Sequence, residues 1–227
     1  AKDELIRFGN ELAERFTEDA AELEFETGLS AFFSHGAKKR YVGRMIWPKE
    51  EMIIRGYETR RSDSFTLLTN TMTSMFEYIL DGNQESAIRD VIDLIKEVKK
   101  GSVNVEDLVI SRSCKGKWNP KKNDWDFDSV YANPDGLPFV KAARKRIDLG
   151  LEFTPGMKVA YVVTKTSGSN QVVEPWLVED GGDPVSNYDA DYYSKRLAKA
   201  LGRVTEAFGW SENELITGTR QTTLFSF

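Results

Sequence analysis

The sequence predicts an α+β fold: an antiparallel β meander with one helix in front of it, followed by a mainly helical region. Three observations carry this. Apolar residues recur at three- and four-residue steps up to Phe16, the period then shortens to two over several short runs, and helical spacing returns from Leu68 onward. At 227 residues and 40% apolar, the chain can bury a substantial core as one large domain or two small ones.

Leu5, Phe8, Leu12 and Phe16 mark the first helix, short and amphipathic. In ELEFE, alternation puts Glu22, Glu24 and Glu26 on one face of a strand and Leu23 and Phe25 on the other. LSAFFS, KKRYVGRMIW and EMIIRGYE read as further strands, separated by HGA and PKEE turns. Within the second of these, alternation assigns Lys38 and Arg40 to one face and Lys39 and Tyr41 to the other.

Leu68, Met72, Met75, Phe76, Ile79 and Leu80 form one helical stripe, and Ile88, Val91, Ile92, Ile95 and Val98 a second, with DGN as the break. Residues 111–136 are polar, turn-rich and dotted with tryptophan, which predicts a long loop. LPFVKAARKRIDLG reads as a basic helix stopped at Gly150, and PGMKVAYVVTKTSGS as a strand ending in a small-residue turn. After an acidic loop, Tyr193, Leu197, Ala200, Leu201, Val204 and Phe208 mark a last long helix. Ser211 and Glu214 then have capping-box spacing for one more turn.

Charge is segregated along the chain. The totals are 31 basic and 36 acidic residues, which argues against a protein that coats nucleic acid with its whole surface. Yet residues 1–30 hold three basic and nine acidic residues, 38–61 hold eight basic and three acidic, 112–122 hold five basic and none acidic, and 141–146 add four more basic. A single cysteine, Cys114, excludes an internal disulfide and a multi-thiolate metal site, and the single His35 excludes a histidine-based one. With neither a secretory pattern nor a long apolar run, the expectation is a reduced, cytoplasmic protein without a membrane span.

Three carboxylates on one strand face repel unless water or a cation relieves them. ELEFE is therefore either a solvated outer face or the lining of a metal-dependent phosphoryl-transfer site. The basic KKRY strand is either protection of a sheet edge or a surface that lies along a duplex, with lysine and arginine on phosphates and minor-groove acceptors.

Taken in order, LEFE, KKRY, RGYETRRSD, FTPGMKVAYVVTKTSGS and YDADYYSKRLAKALGRVTEAFGW resemble the C-terminal palm and thumb of an archaeal family B DNA polymerase, from about Lys2 to Phe227. The resemblance divides the chain into the C-terminal part of a palm (1–65), a thumb (66–217) and a tail (218–227). That family's two catalytic aspartate signatures, DxxSLYPS and YxDTD, are absent from the sequence. YDADYY is similar to the second only on the surface. It precedes a long amphipathic helix, so Asp189 and Asp191 read as helix-start residues. The resemblance thus implies the small subunit of a split polymerase. A large partner subunit would carry the exonuclease, the fingers and the catalytic aspartates, and would hold most of the Mg2+. Primer-template DNA and deoxynucleoside triphosphates are the implied substrates. Independently, a short meander with a glutamate face and one helix leaves sheet edge and apolar surface for a neighbour to cover.

Residue by residue, the resemblance implies that Glu24 and Glu26 are auxiliary carboxylates beside the metal site, Glu24 being a possible metal ligand. Lys38, Lys39, Arg40 and Tyr41 match the primer-duplex motif, and Arg60 and Arg61 the basic pair that follows it. Lys141, Arg144 and Lys145, with Lys165, Ser167 and Gly168, are candidates for gripping the duplex. In the tail, Gln221, Leu224, Phe225 and Phe227 resemble the peptide by which replication proteins bind the ring-shaped sliding clamp. Two other functions compete: a non-catalytic DNA-binding adaptor that recruits another enzyme to the clamp, and a metal nuclease built on the glutamate strand, which needs more ligands than the sequence offers.

Overall fold

The computed structural model describes residues 2–17, 21–57 and 64–220. These form two compact units, one made of Ala1–Tyr57 with Thr73–Arg89 and the other of Glu58–Met72 with Asp90–Phe227.

In the first unit, α1 (Lys2–Phe16) precedes a three-stranded antiparallel sheet of β1 (Gly28–Ser34), β2 (Tyr41–Trp47) and β3 (Glu51–Arg55), in the order β1-β2-β3. This is the predicted meander. The central strand supplies buried Val42 and Met45, and Tyr57 just past β3 meets Phe76 edge-on at 4.6 Å. Phe76 belongs to α2 (Thr66–Leu80), which is followed after Gly82 by α3 (Gln84–Lys100). Gly82 takes φ 75°, a left-handed conformation suited to glycine, and so ends α2 at the predicted DGN break.

ELEFE does not form a strand. Residues 22–27 are irregular, because alternation holds for only one of the two apolar positions. Phe25 stacks on Trp47 with ring centroids 4.9 Å apart, whereas Leu23 is 49% exposed. Gly9 makes room for that stack, since a Cβ there would sit 2.5 Å from the Phe25 ring. KKRY also departs from expectation. β2 starts only at Tyr41, and Lys38 and Lys39 lie in the preceding turn, with Lys39 at φ 63°. A turn has no two-residue alternation, so the predicted two-faced arrangement of these side chains does not exist.

The second unit is built on a sheet of β4 (Ile110–Ser113), β7 (Lys158–Ser167) and β8 (Asn170–Pro175), in the order β4-β7-β8. Helix α4 (Pro138–Asp148) packs on β7 and β8 through buried Phe139, Val140, Ala142 and Ala143. Helix α5 (Ala190–Thr205) buries Tyr193, Leu197 and Leu201, and the Tyr193 hydroxyl accepts a hydrogen bond from the Val163 N–H at 3.0 Å. Asp189 caps α5 by accepting from Tyr192 N–H at 2.9 Å, so YDADYY is a helix start. The short α6 (Glu212–Thr217) opens with the complete Ser211–Glu214 capping box.

Residues 111–136 are not a long loop. They contain the end of β4, a hairpin of β5 (Lys117–Asn119) and β6 (Asp124–Asp126), and a 3-10 turn at Pro134–Gly136. Each strand is too short to show a period, and Phe153, outside the segment, holds the hairpin through Trp125 and Phe127.

Candidate nucleic-acid interface

The turn between β1 and β2 leaves Lys38 and Lys39 exposed. It is fixed from beneath. Ser34 Oγ donates to the Arg40 carbonyl at 3.0 Å, and the Arg40 guanidinium lies over the Tyr57 ring at 5.5 Å. Gly56, at φ 73°, lets the chain leave β3 directly under this turn: a Cβ there would come within 2.6 Å of the Lys39 carbonyl oxygen. Burial pushes the Tyr57 hydroxyl above its ordinary pKa, opposed by the Arg40 charge. Tyr41 packs beside Phe32, with ring centroids 5.6 Å apart, and Phe32 is 60% exposed.

Strand pairing adds a residue that the sequence motif did not identify. Tyr41 is registered opposite Arg55, whose side chain is exposed at the same end of the sheet. The basic end therefore holds Lys38, Lys39, Arg40 and Arg55 beside exposed Phe32 and half-buried Tyr41. Lys38, Lys39 and Arg55 make no ion pair among the described residues. Cations left uncommitted beside aromatic surface are suited to the sugar-phosphate backbone of a nucleic acid.

Glu24 and Glu26 lie elsewhere. They are exposed on the irregular segment leading into Gly28, at the opposite end of β1 from the basic turn, roughly 20 Å away at about 3.3 Å per strand residue. Among the described residues no group of three or more histidine, cysteine, aspartate or glutamate side chains could hold a metal ion.

The basic helix of the second unit is largely committed internally. Lys141 Nζ donates to Asn170 Oδ1 at 2.6 Å and to the Gln171 carbonyl at 2.8 Å, and Lys145 pairs with Glu174 at 2.7 Å. Arg144 pairs with Asp135 and lies 5.6 Å over the Phe127 ring. Lys141 and Lys145 thereby brace the β7–β8 hairpin, whose exposed tip carries Lys165, Ser167 and Gly168. Arg60 and Arg61, and the tail residues Gln221, Leu224, Phe225 and Phe227, lie outside the described residues.

The model of the family described as DNA polymerase family B matches residues 1–208. This chain belongs to DNA polymerase family B. It is 30% identical over 221 residues to a DNA polymerase of Archaeoglobus fulgidus, covering 91% of this chain and 26% of that protein. It is 31% identical to DNA polymerase 2 of Aeropyrum pernix, covering 94% of this chain and 25% of that one. The solved family B polymerase of the archaeon Pyrobaculum calidifontis has the same fold over 93% of this chain and 25% of its own, with a TM-score of 0.60 at 22% identity. The chain thus spans about a quarter of the length of these relatives. No helix among the described residues is long and apolar enough to cross a membrane.

Proposed function

We propose that this chain completes the palm and supplies the thumb of a two-chain DNA-dependent DNA polymerase. A large subunit carries the catalytic aspartates and the Mg2+ they bind. The observation that carries this reading is the surface of α1. None of its residues is buried, and Phe8, Leu12 and Phe16 are 57%, 37% and 61% exposed along one side. An amphipathic helix in water is stabilised mainly by covering such a stripe, so a further polypeptide surface is expected on it. Family membership supports a polymerase body as that surface.

In this reading Lys38, Lys39, Arg40, Tyr41 and Arg55 hold the primer duplex near its end by backbone contacts that carry no sequence information. Glu24 and Glu26 add negative charge beside the partner's metal site. Nucleotidyl transfer from deoxynucleoside triphosphates uses divalent ions to activate the primer hydroxyl and to neutralise the leaving pyrophosphate. Those ions belong to the partner's carboxylates, and this chain holds the duplex in line with them. The sequence of the tail, Gln221 to Phe227, supports a clamp tether.

Primer extension with purified chains tests the proposal. This chain alone is expected to extend no primer, and activity is expected when it is mixed with a chain bearing the family's aspartate signatures; robust synthesis by this chain alone refutes the two-chain reading. Replacing Lys38 and Tyr41 together by alanine should lower the rate of the mixed pair by about 100-fold, the scale of a misplaced reacting group. An adaptor would lose DNA affinity without a fall in turnover at saturating DNA.

A further inference from the structure

The β5–β6 hairpin of the second unit forms a two-stranded sheet of its own. Lys117, Trp118 and Asn119 are registered opposite Asp126, Trp125 and Asp124. Asn119 Oδ1 accepts from the N–H groups of Lys121 and Lys122 at 3.1 and 3.3 Å, and Asn123 takes a left-handed φ of 48°. This side-chain turn presets the loop and leaves the two lysines adjacent at its tip.

Aromatic rings anchor the base of the hairpin. Trp125 meets Phe153 edge-on at 5.0 Å, and Phe127 meets the same ring at 5.5 Å. Gly116 admits this cluster, since a Cβ there would stand 3.0 Å from Phe153 and 3.3 Å from Phe127. Trp118 leans edge-on against Trp125 at 5.4 Å but keeps 44% of its surface exposed.

The charges around it are unspent. Lys115, Lys117, Lys121 and Lys122 are exposed and make no ion pair among the described residues, in contrast to Lys145 and Arg144 of α4. The acids of the return strand turn to local backbone: Asp124 Oδ1 accepts from Trp125 N–H at 2.7 Å and Asp126 Oδ1 from Ser129 N–H at 3.1 Å. The hydrogen bonds from Ser129, with smaller contributions from the Asp128 N–H and the Lys122 charge, hold the Asp126 carboxyl below its usual range. Arg112 is engaged over the Phe139 ring at 5.0 Å.

We propose that this hairpin is a second DNA-backbone site: Lys121 and Lys122 neutralise successive phosphates while Trp118 packs against the adjoining sugar or base. A preset turn loses little freedom when its lysines bind, and an indole beside paired cations suits stacking with electrostatic attachment. The choice of DNA among polyanions rests on the polymerase reading; the geometry of the site does not. Double-stranded and single-stranded DNA offer the same backbone chemistry, and the test separates them.

The experiment is fluorescence anisotropy of labelled duplex and single-stranded DNA of equal length, titrated with the full chain over a range of salt. Lys121→Ala with Lys122→Ala should reduce the salt slope of log K by roughly 1.8 for duplex or 1.4 for single strands, from about 0.9 or 0.7 per phosphate contact. Trp118→Ala should weaken single-strand binding by about 5- to 150-fold if the indole stacks on a base, and less on duplex. Thermal melting of each variant guards against misfolding, with Trp118→Phe expected to rescue binding. An unchanged slope and affinity in the lysine variant, or no DNA binding by the parent chain, overturns the proposal. The two-chain reading stands or falls separately on the mixing experiment.

Discussion

The two units differ in what their charged and apolar side chains touch. In the second unit the cations of α4 are largely satisfied at home: Lys141 on the tip of the β7–β8 hairpin, Lys145 on Glu174, and Arg146 on both oxygens of Asp180. Its long helix α5 buries nine of its sixteen residues. In the first unit α1 buries none, and Lys38, Lys39 and Arg55 find no ion-pair partner among the described residues. A basic motif is therefore a poor guide to binding until its partners are known. The α4 cations act first as struts, whereas the turn at Lys38 and the hairpin at Lys121 keep their charge available.

This contrast can be broken most sharply at α1. Replacing Phe8 and Phe16 by aspartate should weaken association with a large subunit by about 150- to 20,000-fold, taking about 1.5–3 kcal/mol for each aromatic that becomes buried. The melting temperature of the isolated chain should barely move, since both rings are exposed in it. Calorimetric titration paired with thermal unfolding checks both halves. A large loss of stability in the isolated chain would mean that the stripe is covered by the chain itself.

A smaller effect is expected inside the second unit. Tyr193→Phe removes the hydroxyl that accepts from Val163 N–H, leaving a buried donor unpaired at a cost of about 1–3 kcal/mol, measurable by denaturant unfolding. The smallest is the acid response of the Arg146–Asp180 pair. Its hydrogen bonds hold the Asp180 carboxyl below its ordinary range, so folding is favoured by the ionised form. That contribution is whole above the unfolded value of about 3.9 and fades as pH falls through the lower folded value. Asp180→Asn should therefore flatten the loss of stability on acidification, as read from melting temperature against pH.

Elements with several helical turns were legible in the chain. The predicted stripes are buried from Leu68 to Phe76, Ile88 to Val98 and Tyr193 to Val204, while their ends at Ile79, Leu80 and Phe208 are only half-buried and Phe208 lies past the end of α5; the Asp189 cap and the Ser211–Glu214 box form as predicted. Four or more repeats of a period outweigh any single tertiary contact. Short segments were less legible. ELEFE has strand alternation but only five residues, and a single ring stack, Phe25 on Trp47, determines its path. The hairpin at 117–126 offered three residues per strand, and its aromatic anchor, Phe153, lies far along the sequence.

Composition and spacing alone determined the α+β class, the order of the meander, the long helices and the local excess of positive charge, because each depends on neighbours in sequence. Only the tertiary structure decided which cations remain uncommitted, that Arg55 joins the basic turn opposite Tyr41, that Glu24 and Glu26 sit at the far end of β1, and that Trp118 faces solvent while Trp125 is held against Phe153. The physical reason is that pairing across strands and packing between rings join residues distant in the chain. Electrostatic availability is a property of those encounters, and no local pattern of residues records it.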